Sequence, residues 1–127
     1  MAEREKLSFD VIVIGAGLSG GAAAVMAARA GLNVALIERG QSAGGKNYFG
    51  GTVYTHSLEA VYPDVFSRNP PLERPVTEAG YWMLSKDNLA KFSIQGTEFD
   101  KKPADAYIAL MAKFNDWWVE QAVKEGV

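Results

Sequence analysis

The feature that most limits how this chain can fold is a glycine-spaced turn between two apolar runs. The turn is Gly15–Gly20, GAGLSG, with the spacing G-x-G-x-x-G. The β-branched run before it, Phe9–Ile14, predicts a strand buried on both faces of a parallel sheet. The alanine-rich run after it, Leu18–Ala30, predicts a helix that ends at Gly31. Since a second apolar stretch follows at Asn33–Glu38, the sequence predicts a βαβ unit.

Each glycine of the turn has a physical reason in a dinucleotide-binding unit. Gly15 allows the tight turn off the strand, Gly17 lets a pyrophosphate approach the backbone, and Gly20 lets the helix pack closely on the sheet. Free N–H groups at the start of the helix, together with its dipole, favour phosphate. The turn is therefore a predicted phosphate site, and it includes the intervening residues Ala16, Leu18 and Ser19.

An acidic residue closes the second predicted strand at the distance such a unit requires. Glu38 lies 18 residues after Gly20, near the usual spacing of about 20. Its carboxylate is expected to accept the hydroxyls of an adenosine ribose and to repel a 2′-phosphate, which disfavours NADP. The turn leaves the choice between NAD and FAD open. The glycine-rich stretch Gly40–Gly51 argues against a plain NAD dehydrogenase, whose domain usually continues directly into the next helix.

Composition excludes several other classes of function. The 127 residues carry 13 basic and 15 acidic side chains, a net charge of −2, without the basic excess typical of nucleic-acid binding. The chain has no cysteine and a single histidine, His56, so no metal site and no catalytic residue is predicted. Val11–Ala28 is free of charge and long enough for a marginal membrane span. Because the stretch contains four glycines and fits the βαβ pattern, a membrane span is disfavoured, and the expected location is cytoplasmic.

The rest of the chain is expected to add an inserted hairpin and a C-terminal amphipathic helix. Ala90, Phe92 and Ile94 alternate with polar residues, which predicts a strand with one dry face. Phe114, Trp117 and Trp118 recur at helical spacing, which indicates core packing. The predicted segments are a loop at Arg39–Gly51, a short helix at Thr55–Val61, a crossing loop at Tyr62–Pro75, strands at Gly80–Ser85 and Asn88–Gln95, a loop at Gly96–Pro103, and a helix at Leu110–Glu125.

Four stretches of the sequence resemble one flavoprotein family. They are Val11–Gly40; Ala43–Tyr54, AGGKNYFGGTVY; Glu73–Thr77, ERPVT; and Tyr107–Gly126, YIALMAKFNDWWVEQAVKEG. Together they resemble the start of the FixC-type and electron transfer flavoprotein–quinone oxidoreductases, in a wider group with geranylgeranyl reductases and aromatic hydroxylases. The fold class expected from this resemblance is α/β, with a Rossmann-like FAD-binding βαβ unit.

The resemblance implies an FAD enzyme that passes electrons from an electron transfer flavoprotein toward quinone. Two alternatives stay open: a geranylgeranyl-reductase-like or hydroxylase-like FAD enzyme, and a truncated nucleotide-binding module without catalysis. Carried over by position, the implied contacts are Gly15, Gly17 and Gly20 with the FAD pyrophosphate, Glu38 with the ribose, Arg39 beside the adenine end, Lys46 on the loop toward the flavin, and Gly50 and Gly51 near the isoalloxazine.

The sequence departs from the FixC pattern at Met111 and Asn115, where many FixC-type chains have arginine and then aspartate. That arginine belongs to the wall near the cofactor in the family, so its loss predicts weaker FAD binding. We expect residues 1–127 to be the N-terminal part of an FAD-binding domain, with a polar tail at 1–8 and the βαβ core at 9–40. Since two parallel strands make an incomplete sheet, the chain by itself is expected to be inactive, and any membrane contact to be peripheral through other parts.

Overall fold

A computed structural model describes residues 6–95 and 103–127, which form two compact units. One unit contains the described residues up to Phe49 together with Met111–Val127, and the other is Gly50–Leu110. In chain order the elements are β1 (Val11–Ile14), α1 (Leu18–Arg29), β2 (Val34–Ile37), β3 (Gly50–Tyr54), α2 (Thr55–Glu59), a 3-10 helix (Val65–Arg68), β4 (Leu72–Pro75), β5 (Ala79–Leu84), β6 (Leu89–Ile94), β7 (Ala106–Leu110) and α3 (Met111–Lys124).

The first unit contains the predicted βαβ arrangement. β1 and β2 pair in parallel, with Val11 opposite Val34 and Ile14 opposite Ile37. Gly15 has a φ of +102°, a value that favours glycine, and it turns the chain out of β1. Gly31 ends α1 in the same way, with a φ of +83°. The order strand, glycine turn, helix, glycine, strand is confirmed, and each observed element is slightly shorter than its predicted span.

One face of the two-stranded sheet is uncovered within the described residues. The side chains of Ile12, Ile14 and Ile37 are 57%, 85% and 49% exposed. Val34, on the opposite face in this register, is buried, as are Ala24 and Val25 of α1. The exposed isoleucines agree with the expectation that two parallel strands are an incomplete sheet, since β-branched residues on a sheet face ordinarily pack against another layer.

The C-terminal helix packs on α1. Phe114, Trp118 and Ala122 of α3 are buried. A Cβ added at Gly21 of α1 would lie 2.6 Å from Cδ1 of Trp118, so the indole occupies space that only glycine leaves free. Trp118, one of the aromatic residues predicted as core, thus packs against α1.

The second unit is built on a three-stranded antiparallel sheet in the order β3, β7, β4. Its strands correct two predicted loops. β3 begins at Gly50, inside the predicted loop Arg39–Gly51, because Gly50 pairs with Leu110. The predicted crossing loop Tyr62–Pro75 holds the 3-10 helix and β4. Prolines favour a loop in the sequence, but β4 is at the edge of the sheet, where a residue without an N–H is tolerated.

The predicted hairpin is present in the second unit, although its faces differ from the prediction. β5 and β6 pair antiparallel, and the N–H of Asn88 closes the turn between them by donating to Oγ of Ser85 at 3.0 Å. Every residue of both strands is exposed among the described residues, so the predicted dry face of β6 is wrong within this unit. Alternation indicates which side chains share a face, whereas burial requires a second layer. Most of the predicted loop Gly96–Pro103 lies outside the described residues.

Candidate functional site

The glycine turn places backbone donors at one end of the parallel sheet. Gly17 is the N-cap of α1, with a φ of −74° and no side-chain cap. The first N–H groups of a helix have no partner within it, so this end of α1 presents donors to the cavity beside it. A Cβ at Gly17 would meet no protein atom within 4 Å, whereas one at Gly20 would lie 1.9 Å from the carbonyl oxygen of Gly15. Gly20 is therefore required by packing, and Gly17 leaves open space.

Glu38 connects the end of β2 to the glycine turn. Its Oε2 accepts a hydrogen bond from the N–H of Ala16 at 3.1 Å. Its Oε1 accepts the N–H of Gly40 at 2.6 Å and the ammonium of Lys46 at 2.8 Å. The hydrogen bond from Lys46 is the main cause that lowers the pKa of Glu38 from 4.5 to about 2, and the two backbone N–H groups add to it. The carboxylate is therefore ionised at neutral pH.

Two cavities of the first unit meet at Glu38. The larger has a volume of about 300 Å³ and is lined by Gly17, Leu18, Glu38, Ala43, Lys46, Asn47, Met111 and Asn115. The smaller, of about 180 Å³, has a mostly apolar wall that includes Leu36, Val119 and Val123. Glu38 is thus a shared wall, with the N-terminus of α1 on one side and an apolar recess on the other.

Side chains of helix α3 hold the glycine turn and the loop after β2 in place by hydrogen bonds. The buried amide of Asn115 donates from Nδ2 to the carbonyl of Ala16 at 3.1 Å and to that of Ala43 at 2.8 Å. The indole N–H of Trp118 donates to the carbonyl of Leu18 at 3.0 Å. These bonds tie the carbonyl groups of the turn and of the loop to α3, so the helix holds both in place.

The loop after β2 is held by a second set of contacts from α3. Asp116 accepts the N–H of Gly44 at 2.6 Å and the hydroxyl of Ser42 at 3.3 Å. A Cβ at Gly44 would lie 1.9 Å from the carbonyl oxygen of Ala112, so the loop touches the backbone of α3 at a point where only glycine fits. The part of the loop just before Lys46 is therefore held in place by α3, and Lys46 itself lines the cavity.

Most of the predicted site residues come together in the first unit. Gly15, Ala16, Gly17, Leu18, Ser19 and Gly20 form the turn, and Glu38 and Lys46 lie beside it. Arg39 follows the end of β2. Gly50 and Gly51 are in the second unit, in β3, where they pair with Leu110 and Ala109. The ligand contacts of all these residues stay predictions.

Sequence reasoning misses the residues that support the turn. It singles out Asn115 only as a departure from the FixC pattern, and it gives Asp116, Trp118 and Gly44 no role at the site. In the structure the amide of Asn115 donates two hydrogen bonds to carbonyl oxygens, which an ionised aspartate cannot do. Asparagine at position 115, unlike the aspartate of many FixC-type chains, therefore suits the two carbonyl groups that it faces. A polar residue three positions before a tryptophan on a helix is a signal too common to identify such a support.

Comparison with known proteins finds similarity to flavoproteins. The chain matches the FAD dependent oxidoreductase family over residues 10–66. It is 41% identical over 118 residues, 93% of its length, to the probable electron transfer flavoprotein-quinone oxidoreductase YdiS of Escherichia coli. The chain is therefore similar to FAD-dependent oxidoreductases. This confirms the predicted resemblance, and the match supports FAD rather than NAD as the cofactor.

Two further likenesses bear on the extent and the fold of the chain. Protein FixC of Azotobacter vinelandii is 39% identical over all 127 residues. The chain spans about a quarter of the length of these curated relatives, 27% of YdiS and 28% of FixC. A geranylgeranyl bacteriochlorophyll reductase-like structure from Thermoplasma acidophilum superposes on 93% of the chain and 28% of its own length, with a TM-score of 0.68 at 22% identity. At that identity the likeness shows the fold, and it confirms the predicted α/β class.

The uncharged stretch at Val11–Ala28 is the one segment that the sequence offers as a marginal membrane span. In the structure it is divided between β1, the glycine turn and most of the 12-residue helix α1. Within residues 6–95 and 103–127, no helix has the length and apolar character to cross a membrane.

Proposed function

We propose that the cavities beside Glu38 bind the ADP half of FAD, in the FAD-binding portion of a FixC-type dehydrogenase that passes electrons from an electron transfer flavoprotein toward quinone. The observation that carries the binding proposal is the hydrogen bond between Glu38 and the N–H of Ala16, at 3.1 Å. It sets a carboxylate, which suits ribose hydroxyls, directly beside the donors at the start of α1, which suit a pyrophosphate.

The residues present fit this half of the cofactor. The space that a Cβ at Gly17 would enter is open, and a pyrophosphate approaching the backbone would use that space. The Lys46 ammonium is on the same cavity wall and adds a positive charge. On the other side of Glu38, the apolar recess with Leu36, Val119 and Val123 suits an adenine ring. The ribose would then lie at Glu38, between the two cavities.

When bound, FAD supplies the redox chemistry through its isoalloxazine ring. The residues of the first unit hold the other end of the molecule. The N-terminus of α1 offsets the negative charge of the diphosphate, and Glu38 fixes the sugar. Together they set the direction in which the rest of the cofactor extends from the site. Positioning, rather than proton transfer, is the contribution of these residues.

Nucleotide binding is tested by calorimetric titration of the chain with FAD, ADP and adenosine 2′,5′-bisphosphate. We expect FAD and ADP to bind and the 2′-phosphate to weaken binding at least about tenfold, since it would lie against the ionised Glu38. Glu38→Gln is expected to weaken ADP binding and to reduce this discrimination. Glu120→Gln, on the exposed side of α3, is the matched control and should bind like the unsubstituted chain. Absence of ADP binding would contradict the proposal.

The electron-transfer part of the proposal is supported by the similarity to YdiS and FixC. It is tested by mixing the FAD-loaded dehydrogenase that contains this FAD-binding portion with a reduced electron transfer flavoprotein in the absence of oxygen. We expect the oxidised-flavin absorbance to be lost on mixing and to return when a soluble quinone is added. A flavin that binds and yet stays oxidised in this mixture would contradict the electron-transfer role and leave the FAD site standing.

A further inference from the structure

The carboxylate of Glu38 has too few free acceptor positions for a ribose. An ionised carboxylate offers about four such positions. Three are in use, by the N–H groups of Ala16 and Gly40 and by the ammonium of Lys46. A ribose diol brings two O–H donors. One of the present donors must therefore leave before both hydroxyls can bind to Glu38.

The three donors differ in how easily they can move. The N–H of Ala16 belongs to the turn, which is fixed to β2 by the hydrogen bond from the N–H of Gly15 to the carbonyl of Ile37 at 2.7 Å. The N–H of Gly40 is two residues from Glu38 along the chain. Lys46 reaches Glu38 through a long flexible stem, and its side chain is 47% exposed. The ammonium of Lys46 is the donor that can leave at small cost.

The cavity gives the released ammonium a second place to bind. Lys46 lines it together with Gly17 and Leu18, at the end of α1 where the pyrophosphate is proposed to lie. Among the described residues that line this cavity, Lys46 is the only cation. A diphosphate at the start of α1 would need a counterion, and charge-assisted hydrogen bonds from lysine to phosphate are strong when they are shielded from water.

We infer that Lys46 is an exchangeable counterion, which closes Glu38 in the ligand-free protein and passes to the pyrophosphate when a nucleotide takes Glu38. This inference rests on the proposed ADP site and assigns one residue its role there. It follows that Lys46 opposes a ligand with a ribose alone and favours a ligand with both a ribose and a diphosphate. Lys46 is then a specificity-determining residue rather than a passive contact.

The test compares ADP with adenosine on the same chain, by isothermal titration of the unsubstituted protein and of Lys46→Met. Without the ammonium, Glu38 is open and the diphosphate has lost a partner. We expect ADP binding to weaken about tenfold, which corresponds to about 1.4 kcal/mol. Adenosine binding should become tighter, because no ammonium has to leave Glu38 before the ribose binds. Lys113→Met is the matched control, because it removes an exposed charge of α3 that lines neither cavity, and it should leave both affinities unchanged.

A second variant separates charge from shape. Lys46→Arg keeps a cation on the same loop and is expected to retain most of the preference for ADP over adenosine. Adenosine binding that does not tighten in Lys46→Met, ADP binding that does not weaken, or an arginine variant that behaves like the methionine variant would each overturn the exchange. Failure of the unsubstituted chain to bind ADP would instead overturn the proposed site, and the exchange with it.

Discussion

Replacing Gly20 with alanine is expected to destabilise the chain by about 3 kcal/mol or more, at the upper end of what overpacking of a rigid site costs. The added Cβ would lie 1.9 Å from the carbonyl oxygen of Gly15 and 3.1 Å from its carbonyl carbon. Both are backbone atoms of the turn, so no side-chain rotation can relieve the contact. Either α1 moves away from β1 or the turn distorts. Thermal and denaturant unfolding of Gly20→Ala measure the loss directly.

Gly17→Ala is the matched comparison, three residues away in the same turn. Its Cβ would meet no protein atom within 4 Å, and its φ of −74° is open to any residue. We expect its stability to stay within about 1 kcal/mol of the unsubstituted chain, the usual cost of alanine at an N-cap. FAD binding should nevertheless be much weaker, because the methyl group occupies the space left for the pyrophosphate.

The two variants thus separate the fold from the site. If Gly17→Ala unfolds the chain, the open space at Gly17 has a structural role that the geometry does not show. If Gly17→Ala binds FAD normally, the pyrophosphate does not approach the turn there. If Gly20→Ala keeps its stability, the close packing of α1 on β1 is not what requires this glycine. Each result contradicts a different part of the proposed arrangement.

The predictable part of the fold is the part determined by neighbours in sequence. The βαβ unit follows from local signals, namely the apolar runs, the glycines that end them and the acid after β2. The second unit is harder to predict, because β3 and β4 exist only through pairing with β7, more than 30 residues away along the chain. From its neighbours in sequence alone, Gly50 is predicted to lie in a loop, and the prolines around β4 likewise predict a loop where the structure has an edge strand.

The same division applies to the candidate site. Gly17, Gly20 and Glu38 are predictable, because the spacing between them reflects one compact turn-and-strand arrangement. The contacts of Asn115 and Trp118 with that turn span about 100 residues of sequence. Their partners are backbone carbonyl groups, which every residue has, so no pattern of side chains points to them. The role of α3 at the site is visible only in three dimensions.

Asn115→Asp tests that role by a nearly isosteric change. Asn115 is 3% exposed, and its Nδ2 donates to the carbonyls of Ala16 and Ala43. An ionised carboxyl at this position would face two carbonyl oxygens without a donor between them. A buried charge left without a partner costs about 3–5 kcal/mol, so we expect a loss of that order at neutral pH. The turn should loosen as well, and FAD binding should weaken with it.

The loss is expected to depend on pH in a definite direction. Burial and the facing carbonyls raise the pKa of the new carboxyl above its unfolded value of about 3.9. The penalty is therefore full above the folded pKa and shrinks as the pH falls toward about 3.9, because the protonated group is uncharged and can donate one hydrogen bond.

Unfolding in denaturant at pH 7 and at successively lower pH measures this dependence. Lys113→Gln is the control, since it changes the net charge of α3 by the same amount at an exposed position, and it should show neither the loss nor its relief in acid. A variant as stable as the unsubstituted chain at pH 7 would mean that the two hydrogen bonds of Asn115 do not hold the turn. If the loss of stability does not diminish as the pH falls, its cause is altered packing and not the charge of the new carboxylate beside the two carbonyl oxygens.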